Sequence, residues 1–573
     1  MEFKLRKVAL LALLPIITVL FWQPANGAII PGSADPGRVE ERIKPEEKPL
    51  SLTKPKVVKT TAAPRKLRKS ADAVTFKFSE IVITGVTIYS KRELSRYYKP
   101  YLNKRVSLTD LQNIAENITA RYRKDGYIIS RAVVPTQKIN SGKVTIKVIE
   151  GYIDEVYVER GSDKIRSKVK KYGEKIKLMR PLKNKRLEHY LLLINDLPGI
   201  TAKTILSPSP VAVGATDLTI LIEQKKVSGN LYYDNRGSRY LGPDQVLASV
   251  SVNDNLLAAD EALLQTILTP FHNELRYVEM KYSLPVGISG LRSGIKGSFT
   301  RTRPGFTLSD QNYIGRSKRW GVDLEYPLLR TRTKNLRVYG KFDWLDTYTN
   351  APGYTLFKDH IRSVRGGISF DFIDKLRGSN IIDVEFSKGF DIFGASSPNQ
   401  DLPPLSRYQG FSNYKKINAN LARYQALGKR FMLVGALSGQ YSFNSKLLSS
   451  EEFSLGGSQF GRAYDPSEMV GDDGIDGKLE LRCNTFPGLK FLQQIQYFTY
   501  YEIGAIWNVG TLISQTRKDS ATDLGGGLRV TFNKHLYGNL EITKPLTRDV
   551  NTQVASGRNG KAWRFYFGLG ARL

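Results

Sequence analysis

From about residue 225 to the last residue, apolar and polar positions alternate with a period of two. Val246, Ala248, Val250 and Val252 face one way, while Gln245, Ser249, Ser251 and Asn253 face the other. Val278, Met280, Tyr282 and Leu284 oppose Tyr277, Glu279, Lys281 and Ser283; Trp320, Val322, Leu324 and Tyr326 oppose Arg319, Gly321, Asp323 and Glu325. The final run sets Trp563, Phe565, Phe567, Leu569, Ala571 and Leu573 against Arg564, Tyr566, Gly568, Gly570 and Arg572. Side chains of a strand alternate between its faces, so each run reads as an amphipathic strand. About sixteen such segments fit between the turn residues, a number that closes a barrel. One face is apolar and aromatic and the other charged, but alternation alone does not say which points inward. A soluble barrel keeps its apolar face inside, whereas a membrane barrel has a polar lumen and a lipid-facing apolar band. A secreted propeller or double sandwich would use the same alternation.

Upstream the period changes. In residues 75–150, Phe76, Phe78, Ile81, Ile83, Val86 and Ile88 predict one opening strand with a turn near Gly85. Ser90 and Glu93 form a capping box that starts a helix. A second helix is predicted over Ser107 to Tyr122, with Leu108, Leu111, Ile114, Ile118 and Tyr122 on one face and a stop at Gly126. Strands over Ser130 to Val134 and Lys143 to Ile149 complete the order strand, helix, helix, strand, strand. Residues 151–224 repeat it. Ile153 to Val158 is a strand, a basic helical stretch follows, and the helix Leu187 to Leu197 stops at Pro198 and Gly199. Two strands close the unit, Ile200 to Leu206 and Asp217 to Gln224. A repeated element order marks two copies of one small α+β domain.

The amino terminus places the chain in a cell envelope. Lys4, Arg6 and Lys7 precede an apolar run from Val8 to Trp22, and small residues lead to a cut after Gly27, which predicts a signal peptide over 1–27. The run is short for a membrane anchor, the other reading of it. Residues 28–44 include a charged stretch, Gly37 to Lys44, expected as a short helix that can plug a pore. Residues 45–74 are rich in Pro and Lys and lack the apolar residues to build a core, so they read as a linker or a tail. The chain carries 86 Lys+Arg against 54 Asp+Glu, a formal charge of +32. That balance suits nucleic acid, anionic lipid or an acidic polypeptide, and export removes nucleic acid from the choice. No later segment offers the apolar length of a membrane helix.

Candidate chemistry is sparse. The lone Cys483 cannot form an internal disulfide and fills space on a strand. His189, His272, His360 and His535 lack metal-ligand spacing, no phosphate-binding loop is present, and no catalytic group or cofactor is expected. Gly525, Gly526 and Gly527 sit in a strand pattern, where small residues admit a close neighbour. The most unusual segment is 453–476, FSLGGSQFGRAYDPSEMVGDDGID, in which Arg462 is flanked by Gly461, Ala463, Tyr464 and Asp465. It reads either as a surface loop or as a loop folded into a polar lumen, where the guanidinium needs an anion. Parity puts Gln494, Gln496, Phe498, Tyr500, Glu502 and Gly504 on the lumen face. Glu502 can accept a fork of hydrogen bonds from Arg462, although parity does not choose it over Glu480 or Asp523. In a wide, wet lumen the pair would contribute about 1 kcal/mol or less.

These motifs resemble the TpsB transporters of two-partner secretion, the ShlB/FhaC/HecB group within the BamA-type superfamily of barrels with POTRA domains. VVPTQKINSGKVTIKVIEGYI (Val133 to Ile153) is similar to the close of the family's first POTRA domain, and YLLLINDLPGITAKTILSPSPVAVGATDLTILIEQ (Tyr190 to Gln224) to its second. YYDNRGSRYLGP (Tyr232 to Pro243) resembles the opening of its barrel. GGSQFGRAYDP (Gly456 to Pro466) is similar to the pore loop, and YYEIG (Tyr500 to Gly504) to the strand motif whose acid pairs with the loop arginine. The chain departs from the family pattern at Gly461, Ala463 and Glu502 and in ending on Leu573. The resemblance implies a sixteen-stranded transmembrane antiparallel barrel over 225–573, preceded by two periplasmic POTRA domains, in a Gram-negative outer membrane. It implies export of an unfolded TpsA-type exoprotein (an adhesin or haemolysin-like protein), with outer-membrane lipid and the barrel assembly machinery as further partners. A BamA-like insertase, and an outer-membrane enzyme or passive porin, are the alternatives.

Overall fold

The computed structural model describes residues 30–43, 75–139, 141–212, 214–271, 273–397, 403–510 and 516–573. The expected signal peptide and the Pro- and Lys-rich stretch 45–74 lie outside the described residues, as do 28, 29 and 44 at the edges of the expected plug.

Sixteen antiparallel strands close into one barrel, from Val227–Asp234 to Arg564–Arg572. The seam pairs Gly568 with Asp234 through Arg572 with Asn230. Beyond it Leu573 donates its N–H to the carbonyl of Gly229 at 3.0 Å. Burial settles the orientation that alternation left open. Met280 and Trp320 are 63% and 61% exposed, whereas Glu279, next to Met280, is 6% exposed. The apolar face points out and the charged face in. In lipid every backbone N–H and C=O must be paired within the protein, and a closed ladder does that without an edge.

Two small α+β units precede the barrel. In the first, the expected opening strand is two strands. Thr75–Lys77 pairs with Arg105–Ser107, while Glu80–Thr84 runs parallel to Lys143–Ile149. The break is at Phe78, whose side chain is fully buried and whose backbone N–H and C=O bond Lys104 and Asn103 instead of a strand partner. The helices are Lys91–Tyr98 and Leu108–Lys124, each with a capping box, from Ser90 to Glu93 and from Ser107 to Asp110. Leu111, Ile114, Ile118 and Tyr122 pack on Val144, Ile146 and Val148. Leu108 does not join them: it opens the first turn and is 37% exposed.

The second unit packs helices Asp163–Lys177 and Asn184–Asn195 on a sheet of Tyr152–Glu159, Ala215–Gln224 and Ile200–Pro208. Its core extends onto the short turns at one end of the barrel through Ala259 and Ile288. Arg330 forks onto Asp196 through Nε and Nη2, both at 2.6 Å, and Arg332 meets Glu188 at 2.6 Å. The second unit is thus seated on the mouth of the barrel.

Glu150 closes the first small unit, next to Gly151, whose carbonyl accepts from the Leu182 N–H of the second unit at 2.9 Å. Its carboxylate accepts from the Tyr122 hydroxyl at 2.6 Å and from the N–H groups of Thr87 and Ile88 at 2.9 and 3.1 Å, as well as from the Thr87 hydroxyl. Burial pushes the Glu150 carboxyl up, but these donors outweigh it and hold it below its usual 4.5. A depressed carboxyl stabilises the fold above its unfolded pKa, and that contribution is lost as pH falls through the folded value. Glu150→Gln is therefore expected to destabilise residues 75–224 by about 1–2 kcal/mol at neutral pH. The gap between variant and parent, read from urea midpoints, should close on acidification; a gap independent of pH contradicts the assignment.

A candidate pore-loop site

The extracellular segment between strands Phe431–Tyr441 and Asp473–Thr485 does not extend outward. It folds into the barrel as a hairpin, in which Phe453–Leu455 pairs with Met469–Gly471. The stretch 453–476 is thus not one irregular loop, since it holds two short strands and the start of the next wall strand. Two wall glycines let the hairpin lie flush. A Cβ on Gly504 would stand 1.7 Å from Leu455 Cδ1, and one on Gly474 would stand 2.0 Å from Phe453 Cδ1. Gly461 turns the tip at φ +68, a left-handed conformation that favours glycine.

Arg462 follows and is 3% exposed. Its Nε lies 2.7 Å from Glu502 Oε1 and its Nη2 2.8 Å from Glu480 Oε2, while its backbone N–H donates to Glu502 Oε2 at 2.9 Å. The guanidinium lies over the Tyr500 ring, 3.3 Å from its centroid. The Tyr500 hydroxyl donates to Glu541 at 2.7 Å, and Glu541 pairs with Arg236. Glu480 also meets Arg482 at 2.5 Å and Arg529 at 2.9 Å. Three wall strands thus converge on one loop cation.

Of the three acids that parity left open, Glu502 and Glu480 share the guanidinium from adjacent strands and Asp523 does not, so the fork onto Glu502 becomes a bridge between two carboxylates. The wide, wet lumen is corrected too. Removing one partner from a buried charge cluster is worth on the order of 3–5 kcal/mol, well above the surface value. The neighbouring motif residues anchor the tip. Ala463 is fully buried, and its carbonyl accepts from Arg564 at 2.9 Å. The Tyr464 hydroxyl donates to the Thr522 carbonyl at 3.0 Å, and Asp465 pairs with Arg564 and accepts from Thr552 at 2.6 Å. Asp523 lines the same lumen beside Glu502 as its register partner, without an ion pair to Arg462. Sequence reasoning missed Glu541, Arg529 and Arg564, although inward parity on their strands was a signal for all three.

A second element fills the lumen. The expected helix is a 3-10 helix, Pro36–Ile43. Val39 is buried among Leu241, Ile267, Leu275 and Tyr277. Glu40 sits between Lys296 and Arg319 at 2.6 and 3.0 Å, and Arg38 meets Glu452 at 3.1 Å. Glu41 accepts from the hydroxyl of Ser454, on the hairpin, at 2.8 Å.

A closed membrane barrel with an inward loop, preceded by two mixed domains of which the second sits at its mouth, defines an outer-membrane transporter of the POTRA-bearing type. Residues 76–151 match the ShlB-type POTRA domain, and residues 214–529 match the haemolysin secretion/activation protein ShlB/FhaC/HecB. The second match spans more than half of the chain, which belongs to that family. The chain is 25% identical over 466 residues to the heme/hemopexin transporter protein HuxB of Haemophilus influenzae, covering 80% of this chain and 81% of that one. It is 20% identical over 553 residues to the outer membrane transporter CdiB of Escherichia coli, covering 91% and 90%. Among solved structures, CdiB from Escherichia coli superposes with a TM-score of 0.69 at 20% identity, covering 92% of this chain and 94% of that one. The protein is a two-partner secretion transporter of the outer membrane, with its POTRA domains in the periplasm.

Arg462→Ala should cut cargo in the medium by about tenfold or more, while the barrel still inserts and shifts on heating in gels. Arg462→Lys should restore little, since one ammonium cannot span two carboxylates on separate strands. Glu480→Ala should be milder than Glu502→Ala, which strips both the side-chain and backbone contacts. Parental secretion by Arg462→Lys would contradict the shared-guanidinium geometry.

Proposed function

We propose that the POTRA domains capture an unfolded TpsA-type exoprotein in the periplasm and pass it through a lumen that is stoppered at rest. The observation that carries this reading is that the lumen is filled by two separable elements, the hairpin 453–471 and the helix Pro36–Ile43, held largely by ion pairs. A polypeptide cannot pass while both remain, so at least one must leave. The hairpin is continuous with wall strands at both ends and is tied by Arg462. In sequence the helix is separated from the first POTRA domain by the Pro- and Lys-rich stretch 45–74, a composition suited to a linker that lets a segment withdraw. The helix is therefore the movable stopper and the hairpin the fixed one.

Capture is supported by sheet edges. Glu80–Thr84 and Arg131–Val133 are edges of the first small sheet, and Tyr152–Glu159 and Ile200–Pro208 of the second. An edge offers main-chain hydrogen bonds to an extended chain with little demand on sequence. A relative of Proteus mirabilis, 22% identical over 450 residues, bears the name hemolysin transporter protein HpmB, which fits a protein cargo. The outward aromatics Phe565 and Phe567 of the last strand suit recognition by the barrel assembly machinery during insertion.

Deleting residues 28–44 should raise ion conductance in planar bilayers several-fold while secretion continues; unchanged conductance would make the helix a spacer. Deleting residues 75–224 should abolish secretion and leave a heat-modifiable barrel. Normal secretion by that deletion would remove the capture role.

A further inference from the structure

Within the lumen nearly every cation described above has an acidic partner, but one group of cations on the outer wall does not. Register partners on adjacent strands share a face. Arg276 stands opposite Arg301, and Arg301 opposite Arg316. The row continues through Tyr348 to Lys358. It lies on the lipid-facing side, because Val278 and Phe299, two residues along the same strands and face, are 37% and 41% exposed. It also lies at the extracellular end. The opposite end of strand Leu275–Val286 is the one that meets the second POTRA unit, through Lys168 and the carbonyl of Pro285. The three arginines therefore sit just above the apolar band, with Lys318 one step below Arg316 and Trp320 below that.

Like charges directly opposite each other destabilise a sheet. Adjacent strands are about 4.8 Å apart, so the three arginines fall within about 10 Å. Among the described residues no carboxylate pairs with any of the three. Arg276 donates to Asn273 Oδ1 at 2.9 Å, and Nε of Arg301 is buried without a hydrogen-bond partner. Of the carboxylates nearby, Asp346, opposite Lys318, is already held by His360 and Arg362 at 2.6 and 2.8 Å, and Glu274, two residues before Arg276, is itself engaged. Among the described residues the cluster has no paired anion.

We propose that Arg276, Arg301, Arg316 and Lys318 bind the phosphates of a phosphorylated glycolipid of the outer leaflet, whose acyl chains lie along Val278, Phe299, Trp320 and Val322. The planar guanidinium suits phosphate oxygens in a way a single ammonium does not. The apolar strip directly beneath selects an amphiphile over free phosphate. The site rests on the outer-membrane location and is independent of the latch and stopper.

The test uses full-length protein, delipidated in detergent and incubated with bis-phosphorylated lipid A, dephosphorylated lipid A or phosphatidylglycerol, with bound lipid counted by native mass spectrometry. The parent should bind bis-phosphorylated lipid A about tenfold or more tightly than the dephosphorylated form. The variant Arg276→Gln, Arg301→Gln, Arg316→Gln should lose that preference. A control with Lys388→Gln, Lys415→Gln and Lys544→Gln removes equal charge elsewhere on the outward rim and should keep it. Equal binding of the two lipid A forms by the parent overturns the proposal and needs no variant to fold. So does equal loss in the control, or equal binding of phosphatidylglycerol, either of which would reduce the row to a general anionic interface.

Discussion

Arg462 carries its charge where water is largely excluded, 3% exposed and shared between Glu480 and Glu502. Such a charge is tolerated only when its partners are in place, and here they come from two adjacent wall strands. Placing the guanidinium between them fixes how deep the hairpin enters and how it turns. Tyr500 beneath the ring plane and Glu541 beneath Tyr500 extend the same support to a third strand. The rest of the lumen is built against a hairpin so held. Ser454 on the hairpin meets Glu41 on the helix, and Glu452 just before it meets Arg38.

The two stoppers differ in how they are held. Each is lined by ion pairs, but the hairpin adds backbone pairing, the apolar packing of Phe453, Leu455, Tyr464 and Met469, and the anchors at Asp465 and Tyr464. Among the described side chains of the helix, Pro36 and Val39 are buried and apolar, and the rest make mainly charged contacts. Charged contacts can be exchanged for water as a segment leaves, whereas buried apolar contacts cannot. The proposed division into a movable helix and a fixed hairpin rests on this contrast.

Much of this was legible from the sequence because barrel physics is simple. A two-residue period sets the strands, and inward parity picked Tyr500, Glu502 and Gly504 without a structure. Parity could not choose between Glu480 and Glu502, since both face the lumen on adjacent strands; the structure shows that Arg462 takes both. The hairpin inside 453–476 was illegible because its strands are three residues each, too short for a period. The filling of the lumen was also illegible, since whether a polar cavity holds water or polypeptide depends on which distant segments enter it. The break at Phe78 was hidden for a related reason, in that an unbroken apolar alternation does not reveal a change of strand partner.

The distinction between a fixed and a movable stopper can be tested by tying them together. A Cβ on Gly32 would lie 3.5 Å from Ser467 Cβ, within the range a disulfide spans, although it would also stand 2.6 Å from the Ser467 carbonyl oxygen, so the two segments must ease apart slightly to take the bridge. In the variant Gly32→Cys, Ser467→Cys, secretion should stop under oxidising conditions and return on adding reductant, with barrel folding unchanged throughout. Undiminished secretion from fully cross-linked protein would show that cargo passes with the helix in place, and the lumen would then have to open in another way.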